Sequence, residues 1–211
     1  MKVILVNGSP HERGCTGRAL REVAAALESE GVQTEMLWIG RQPVSGCTGC
    51  GACRKLKKCV IDGDGVNDFI RKAQSADGFV FGSPVHYASA GGAMTSFLDR
   101  AFYSGGAAMK YKPGAAVASC RRAGASATFD MLNKYFTINC MPVASSNYWN
   151  EVHGQTAEDV EKDEEGLQTM RAGLQPRVAF KVRRSRKSAG RNAERRRKNQ
   201  DEFYPLKTRR K

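Results

Sequence analysis

The chain has 211 residues, 41% of them hydrophobic and 26% charged, with seven cysteines and a net charge of +13; a length of this order suits one domain of roughly 150 to 200 residues with a real core, plus an appended segment. No stretch approaches the roughly 18 apolar residues of a membrane span and the N-terminus has no signal-peptide apolar run, so a cytoplasmic location is the default expectation. The net charge does not mark the whole chain as a nucleic-acid binder, because residues 171–211 carry sixteen Lys/Arg against three Asp/Glu while residues 1–170 carry eighteen of each.

Lys2-Val3-Ile4-Leu5-Val6-Asn7 reads as a buried first strand and runs into Gly8-Ser9-Pro10. Leu20, Val23, Ala24 and Leu27 then recur at helical spacing, with Thr16 placed as an N-cap and Gly31 as the stop. Thr34 to Ile39 predicts a second strand, and Val66, Phe69, Ile70 and Ala73 the next helix. Asp77-Gly78-Phe79-Val80-Phe81 is a third strand that runs into a second Gly-Ser-Pro triplet at residues 82 to 84. Met94, Phe97, Leu98 and Ala101 repeat the helical spacing, followed by the small-residue strand from Gly114 to Ser119. A helix through Phe129 and Leu132 leads to a fifth strand expected near Cys140 to Ala144. Thr156 with Asp159 resembles a capping box for a last helix through Val160, Leu167 and Met170. Strands alternating with helices imply parallel pairing and right-handed crossovers. The expectation is an α/β fold, a three-layer doubly wound five-stranded parallel sheet in the flavodoxin-like order 2-1-3-4-5.

Open sheets of this kind bind ligands beyond the C-terminal ends of their strands, where backbone N–H groups and helix N-termini converge. The first strand end carries Ser9, Pro10, His11, Cys15, Thr16 and Gly17 ahead of a helix. A phosphomonoester there would meet two hydroxyls, free N–H groups and the positive end of the helix dipole. The loop has neither Walker A nor dinucleotide-fingerprint spacing, and alone it reads equally as an ordinary strand-to-helix turn. At the second end, Ser83, Pro84, Val85, His86 and Tyr87 offer a half-apolar ledge for an aromatic ring, or simple surface residues. At the third, Ser119, Arg121, Arg122 and Gly124 complete the rim, with the arginines either facing a ring or solvated.

Cys47, Cys50, Cys53 and Cys59 place four thiols within 13 residues, a density that favours metal over disulfides in a cytosolic protein. Three cysteines at two-residue spacing wrap a cubane corner more naturally than they form a zinc knuckle, which uses two separated pairs. A zinc or thiol-only loop remains the alternative, and Lys55, Lys57 and Lys58 would offset cluster charge.

The ordered motifs Gly8-Ser9-Pro10…Gly14-x-Thr16, Cys47-x-Gly49-Cys50-x2-Cys53…Cys59 and Gly82-Ser83-Pro84-Val85…Met94-x2-Phe97-Leu98-Asp99-Arg100 resemble the NADPH-dependent FMN reductase family, and within it the iron–sulfur flavoproteins. The resemblance spans about residues 1 to 170. It implies FMN with its phosphate in the first loop, its ring beside residues 83 to 87, and the strand end near Ser119 to Gly124 closing over the ring. It also implies a 4Fe–4S cluster on the four cysteines and NAD(P)H as reductant. The acceptor would be a quinone, nitro or azo compound, or a ferredoxin-like protein would be the electron-transfer partner. Homodimers or homotetramers are implied too, and no general acid or base is, since flavin N5 carries the chemistry. Cys15 stands where an Asn or Ser is common.

Residues 171–211 form a basic irregular tail in which apolar helical periodicity stops. Its Arg183-Arg184-x-Arg186-Lys187 and Arg195-Arg196-Arg197-Lys198 runs would grip phosphate backbones if selected for that, making a redox- or metal-sensing module with a nucleic-acid-binding tail the competing expectation. Relatives, however, continue their last helix as Leu-Gly-x-Asn-x-Ala-Trp-Leu-Leu-Lys and end in Thr-Asn-Phe-Ile-Arg. Back-translated and read one base later, residues 172 to 181 permit the first of these. Residues 201 to 206 permit the second, followed by a stop codon. The expectation is a frameshifted reading of the C-terminal helix, which would make nucleic-acid binding incidental and the product poorly folding.

Overall fold

The computed structural model describes residues 1–40 and 42–172. Strand β1 (Lys2–Asn7) leads to α1 (Cys15–Ser29), and β2 (Gln33–Trp38) to the short α2 (Cys53–Leu56) and to α3 (Val66–Ser75). Strand β3 (Gly78–His86) turns back into β4 (Ser89–Ala90), then come α4 (Gly92–Met109), β5 (Gly114–Cys120) and α5 (Ala125–Ile138). Strand β6 (Glu151–His153), α6 (Ala157–Val160) and α7 (Glu164–Ala172) follow. The five parallel strands lie in the order β2-β1-β3-β5-β6, with β4 hydrogen-bonded antiparallel to β3 alone. Counting only the parallel strands, this is the 2-1-3-4-5 arrangement expected.

The strands are buried on both faces, and their two-residue period sorts the core. Ile4, Val6, Phe79, Phe81 and Ala116 face one way, against α3, α4 and α5. Val3, Leu5, Val80, Ala115 and Val117 face the other, against α1 and α7. Of the residues whose spacing predicts these helices, Leu20, Val23 and Leu27 on α1, Val66, Phe69, Ile70 and Ala73 on α3, and Met94, Phe97, Leu98 and Ala101 on α4 are buried, and Ala24 on α1 is partly so. Burying each of the larger of these side chains contributes roughly 1.5–3 kcal/mol.

Four local expectations are corrected. The third strand does not stop at Phe81: β3 continues through the second Gly-Ser-Pro triplet, pairing Gly82 with Val117 and Pro84 with Ser119. Thr16 is not the N-cap of α1; that position is Gly14, and the Thr16 hydroxyl is engaged elsewhere. The fifth parallel strand is not at 140–144. Cys140 is left-handed (φ 55°) and only Val143 bridges to Gly114 there, so regular pairing resumes at β6. The Thr156–Asp159 capping box is present, but it caps the four-residue α6, and α7 begins afresh at Glu164.

Candidate functional site

The two Gly-Ser-Pro segments are neighbours at the C-terminal edge of the sheet, where Gly8 N donates to Gly82 O at 2.9 Å. The loop after β1 is tied from within. Asn7, buried at the end of an otherwise apolar strand, accepts from Ser9 N at 3.0 Å and donates to Glu12 O at 3.0 Å. Ser9 Oγ accepts from His11 N at 3.1 Å, and Trp38 Nε1, at the end of β2, donates to Ser9 O at 2.9 Å. The curl is so tight that a Cβ on Gly17 would stand 2.1 Å from Glu12 O. The first turn of α1 has no side-chain cap and no acidic residue, so its N–H groups remain available at the loop.

Thr16 Oγ1 and Ser119 Oγ lie 2.7 Å apart in a buried hydrogen bond that ties this loop to the end of β5. Cys15 Sγ donates to Gly154 O at 3.4 Å; burial chiefly pushes that thiol's pKa up, so it sits there as a small neutral group. Ser83, fully buried, accepts from Gly91 N at 2.9 Å and donates to Pro84 O at 2.9 Å, closing the β3–β4 hairpin. The hairpin tip is Tyr87-Ala88, both left-handed (φ 49° and 61°), the conformation of a type I′ turn, built here without glycine. Tyr87 is wholly exposed and His86 is exposed beside it. Gly124, left-handed at φ 89°, ends the loop after β5; a Cβ there would come within 2.7 Å of Ala88 Cα, so the hairpin tip and the start of α5 are in contact. Arg121 and Arg122 are exposed on the same loop. The first and third strand ends are thus joined by a hydrogen bond and the second and third by close packing, with Pro10, His11, Tyr87, Arg121 and Arg122 on the open rim.

The cysteine loop forms a second, separate centre. Cys47, Cys50, Cys53 and Cys59 all line one cavity of about 520 Å³, closed below by Asp99, Arg100 and Tyr103 of α4. Among the described residues, no three His, Cys, Asp or Glu side chains are grouped to hold a metal ion. Cys47 and Cys50 are exposed and Cys53 and Cys59 half-buried. A hydrogen bond from Ala52 N–H, then one from Thr48, lowers the pKa of the Cys50 thiol. Lys55, Lys57 and Lys58 are exposed on the same loop. Cys59 is the most firmly held. Buried Asn67, on α3, accepts from Cys59 N at 2.9 Å and donates to Cys59 O at 3.0 Å. Arg100 Nε lies 3.2 Å from Cys59 Sγ.

Asn7, Trp38 and Asn67 escape a reading by motif and loop composition, and Arg100 falls inside the third ordered motif without the motif saying what its side chain touches. The available signal is polarity out of place: Asn7 closes an apolar strand, and Asn67 and Arg100 interrupt apolar helical faces.

The first 156 residues match the family model described as NADPH-dependent FMN reductase. Among known proteins the chain is similar to an iron–sulfur flavoprotein of Methanocaldococcus jannaschii, 32% identical over 179 residues that cover 81% of this chain and 92% of that one. An iron–sulfur flavoprotein of Methanosarcina thermophila is 28% identical over 174 residues, covering 81% and 90%. Among solved structures, RosB with a bound formylriboflavin phosphate intermediate has a TM-score of 0.66 at 12% identity, covering 93% and 87%. An archaeal flavodoxin has a TM-score of 0.55 at 17% identity, covering 87% and 99%. At such identities these structures establish the flavodoxin-like fold alone.

Proposed function

The chain belongs to the NADPH-dependent FMN reductase family, a family of FMN-dependent oxidoreductases, and on that premise we propose that it holds FMN across the three strand ends and an iron–sulfur cluster in the cysteine loop. The observation that carries the FMN assignment is the uncapped N-terminus of α1, opening into a loop cinched by Asn7, Trp38 and the Thr16–Ser119 bond. A phosphate there accepts hydrogen bonds from the first-turn N–H groups and neutralises the positive end of the dipole. The residues fit such a group, since Gly17, with no Cβ to meet Glu12 O, lets the loop curl back against the start of α1 and leaves the uncapped first turn facing it. FMN, when bound, supplies hydride and single-electron transfer. Pro84 to Tyr87 supply an apolar ledge that shields one face of a flat ring from water, and Arg121 and Arg122 supply positive charge at its rim.

For the cysteine loop, the fit rests on the cavity. All four cysteines line one cavity of about 520 Å³, so the chemistry of the donor set suits a group shared by four thiols. An iron–sulfur cluster, when bound, supplies one-electron transfer. The similarity to two proteins named iron–sulfur flavoproteins supports this reading. The reductant is then NAD(P)H or a ferredoxin-like donor, and the acceptor a quinone, nitro or azo compound or a protein partner. Absorbance of the purified, anaerobically reconstituted protein, with flavin and iron quantified, tests both centres. Flavin bands with a broad shoulder that dithionite bleaches are expected; failure to bind FMN in a titration sinks the oxidoreductase reading.

A further inference from the structure

Arg100 is about 1% exposed and is the largest fully buried side chain among the described residues. All five of its N–H donors have partners. Nη1 donates to Ser45 O at 3.3 Å and to Asp64 Oδ2, and Nη2 donates to Ile61 O at 2.7 Å and to Asp64 Oδ1 at 3.2 Å. The remaining donor, Nε–H, points at Cys59 Sγ, 3.2 Å away. Ser45 precedes the first cysteine of the loop and Ile61 and Asp64 follow the last, so one guanidinium spans both ends of the segment. The buried charge is already balanced by the Asp64 carboxylate. A hydrogen bond to sulfur adds little in that balance while the sulfur is a neutral thiol, a weak acceptor, and much when it is a metal-bound thiolate.

We propose that Arg100 is the positioning residue of the cysteine loop, tying its two ends together and donating to the Cys59 sulfur so as to raise the reduction potential of the cluster bound there. This rests on reading the loop as an iron–sulfur site. A hydrogen bond to a ligand sulfur withdraws electron density and favours the more negative, reduced form, and such outer contacts tune metal centres generally. Asn67 fixes the Cys59 backbone, which leaves Arg100 to set the environment of the sulfur itself.

The test uses the full chain reconstituted anaerobically with iron and sulfide, as wild type, Arg100→Lys and Arg100→Gln. Lysine keeps the charge and loses the five-donor fork. In a redox titration followed by electron paramagnetic resonance, both variants are expected to be reduced less readily than wild type, on the order of tenfold at fixed potential, equivalent to ~59 mV for one electron. FMN titration and thermal melts of the same samples report the fold. Wild type carrying 15N only at arginine Nε is expected to show nitrogen coupling to the reduced cluster in pulsed measurements, which decides the matter if both variants misfold. Iron bound normally with unchanged potentials, or a reduced cluster with no such coupling, overturns the inference about Arg100 alone. Wild type that takes up no iron overturns the cluster reading, and the inference falls with it by that separate route.

Discussion

Thr16 and Ser119 meet 103 residues apart in sequence, and their 2.7 Å hydrogen bond is buried. Thr16→Val or Ser119→Ala leaves a buried partner unsatisfied, an expected loss of roughly 1–3 kcal/mol each by urea denaturation. The double variant is expected to lose clearly less than the sum of the two, since the second removal takes away the orphaned group. Strict additivity would show that the bond is not made in solution. Gly17→Ala tests the curl itself: with Glu12 O 2.1 Å from the added carbon, the loop has to open. An overpacking cost of about 1–3 kcal/mol is expected to appear as a roughly tenfold or greater weakening of FMN binding in a fluorescence titration. Undiminished affinity would place the phosphate elsewhere. Side-chain roles of this kind were legible only in part. Ser9, Thr16 and Ser119 stand out as hydroxyls at strand ends. Asn7 and Asn67 do their work through backbone atoms that no local pattern announces, and Arg100, although part of a motif, works through partners far from it in sequence.

Helix α1 is fastened to the C-terminal helices by charge as well as by packing. Arg18 pairs with Glu22 at 2.7 Å and with Glu161, and Arg171 of α7 reaches Glu22 at 2.5 Å. Burial opposes the Glu22 carboxylate, but hydrogen bonds from Arg171 and Arg18 outweigh it and hold its pKa below the ordinary value. Glu151 at the start of β6 is the opposite case: burial raises its pKa, His153 only partly offsets this, and Oε1 has no hydrogen-bond partner among the described residues. The signs follow. The depressed Glu22 stabilises above its unfolded pKa, and that stability is lost as pH falls through the folded value. The raised Glu151 begins to destabilise as pH rises past its unfolded pKa. Glu22→Gln is therefore expected to lower the neutral-pH melting temperature, and Glu151→Gln to raise it. In the Glu151→Gln melt the difference vanishes below about pH 4, where the carboxyl is protonated folded or unfolded; a difference that persists there means that packing, not charge, is responsible. Element type was readable because the helical and two-residue periods are clean. Element ends were not, because β3 runs through a Gly-Ser-Pro triplet on pairing supplied by β5, and β6 is only three residues long.

Over the whole molecule, the described core is continuous up to Met170, which is buried with Leu167 and Val160 against the α1 face of the sheet. The basic tail from residue 173 onward, and with it the reading as a frameshifted C-terminal helix, lies outside the described residues. That reading remains our proposal and makes a plain prediction: the gene, read one base later from about codon 172, encodes Leu-Gly-x-Asn-x-Ala-Trp-Leu-Leu-Lys and later a stop. A gene lacking these ends the idea. If they are present, a frame-restored chain gains several large apolar side chains, each worth roughly 1.5–3 kcal/mol when buried. It is then expected to melt roughly 10 °C or more above this one, by circular dichroism. The flavodoxin-like scaffold and the three-loop rim were legible from strand-helix alternation alone, since both depend on patterns that precede the break in composition.

Trp38, hydrogen-bonded to Ser9 O, makes the protein its own optical gauge. The chain has two tryptophans, and the other, Trp149, is about half exposed on the connection before β6. Trp149→Phe leaves a single emitter whose indole N–H is anchored in the first loop. Its emission should shift with inorganic phosphate, a ligand with no colour of its own, so occupancy of that loop can be followed before any flavin is added.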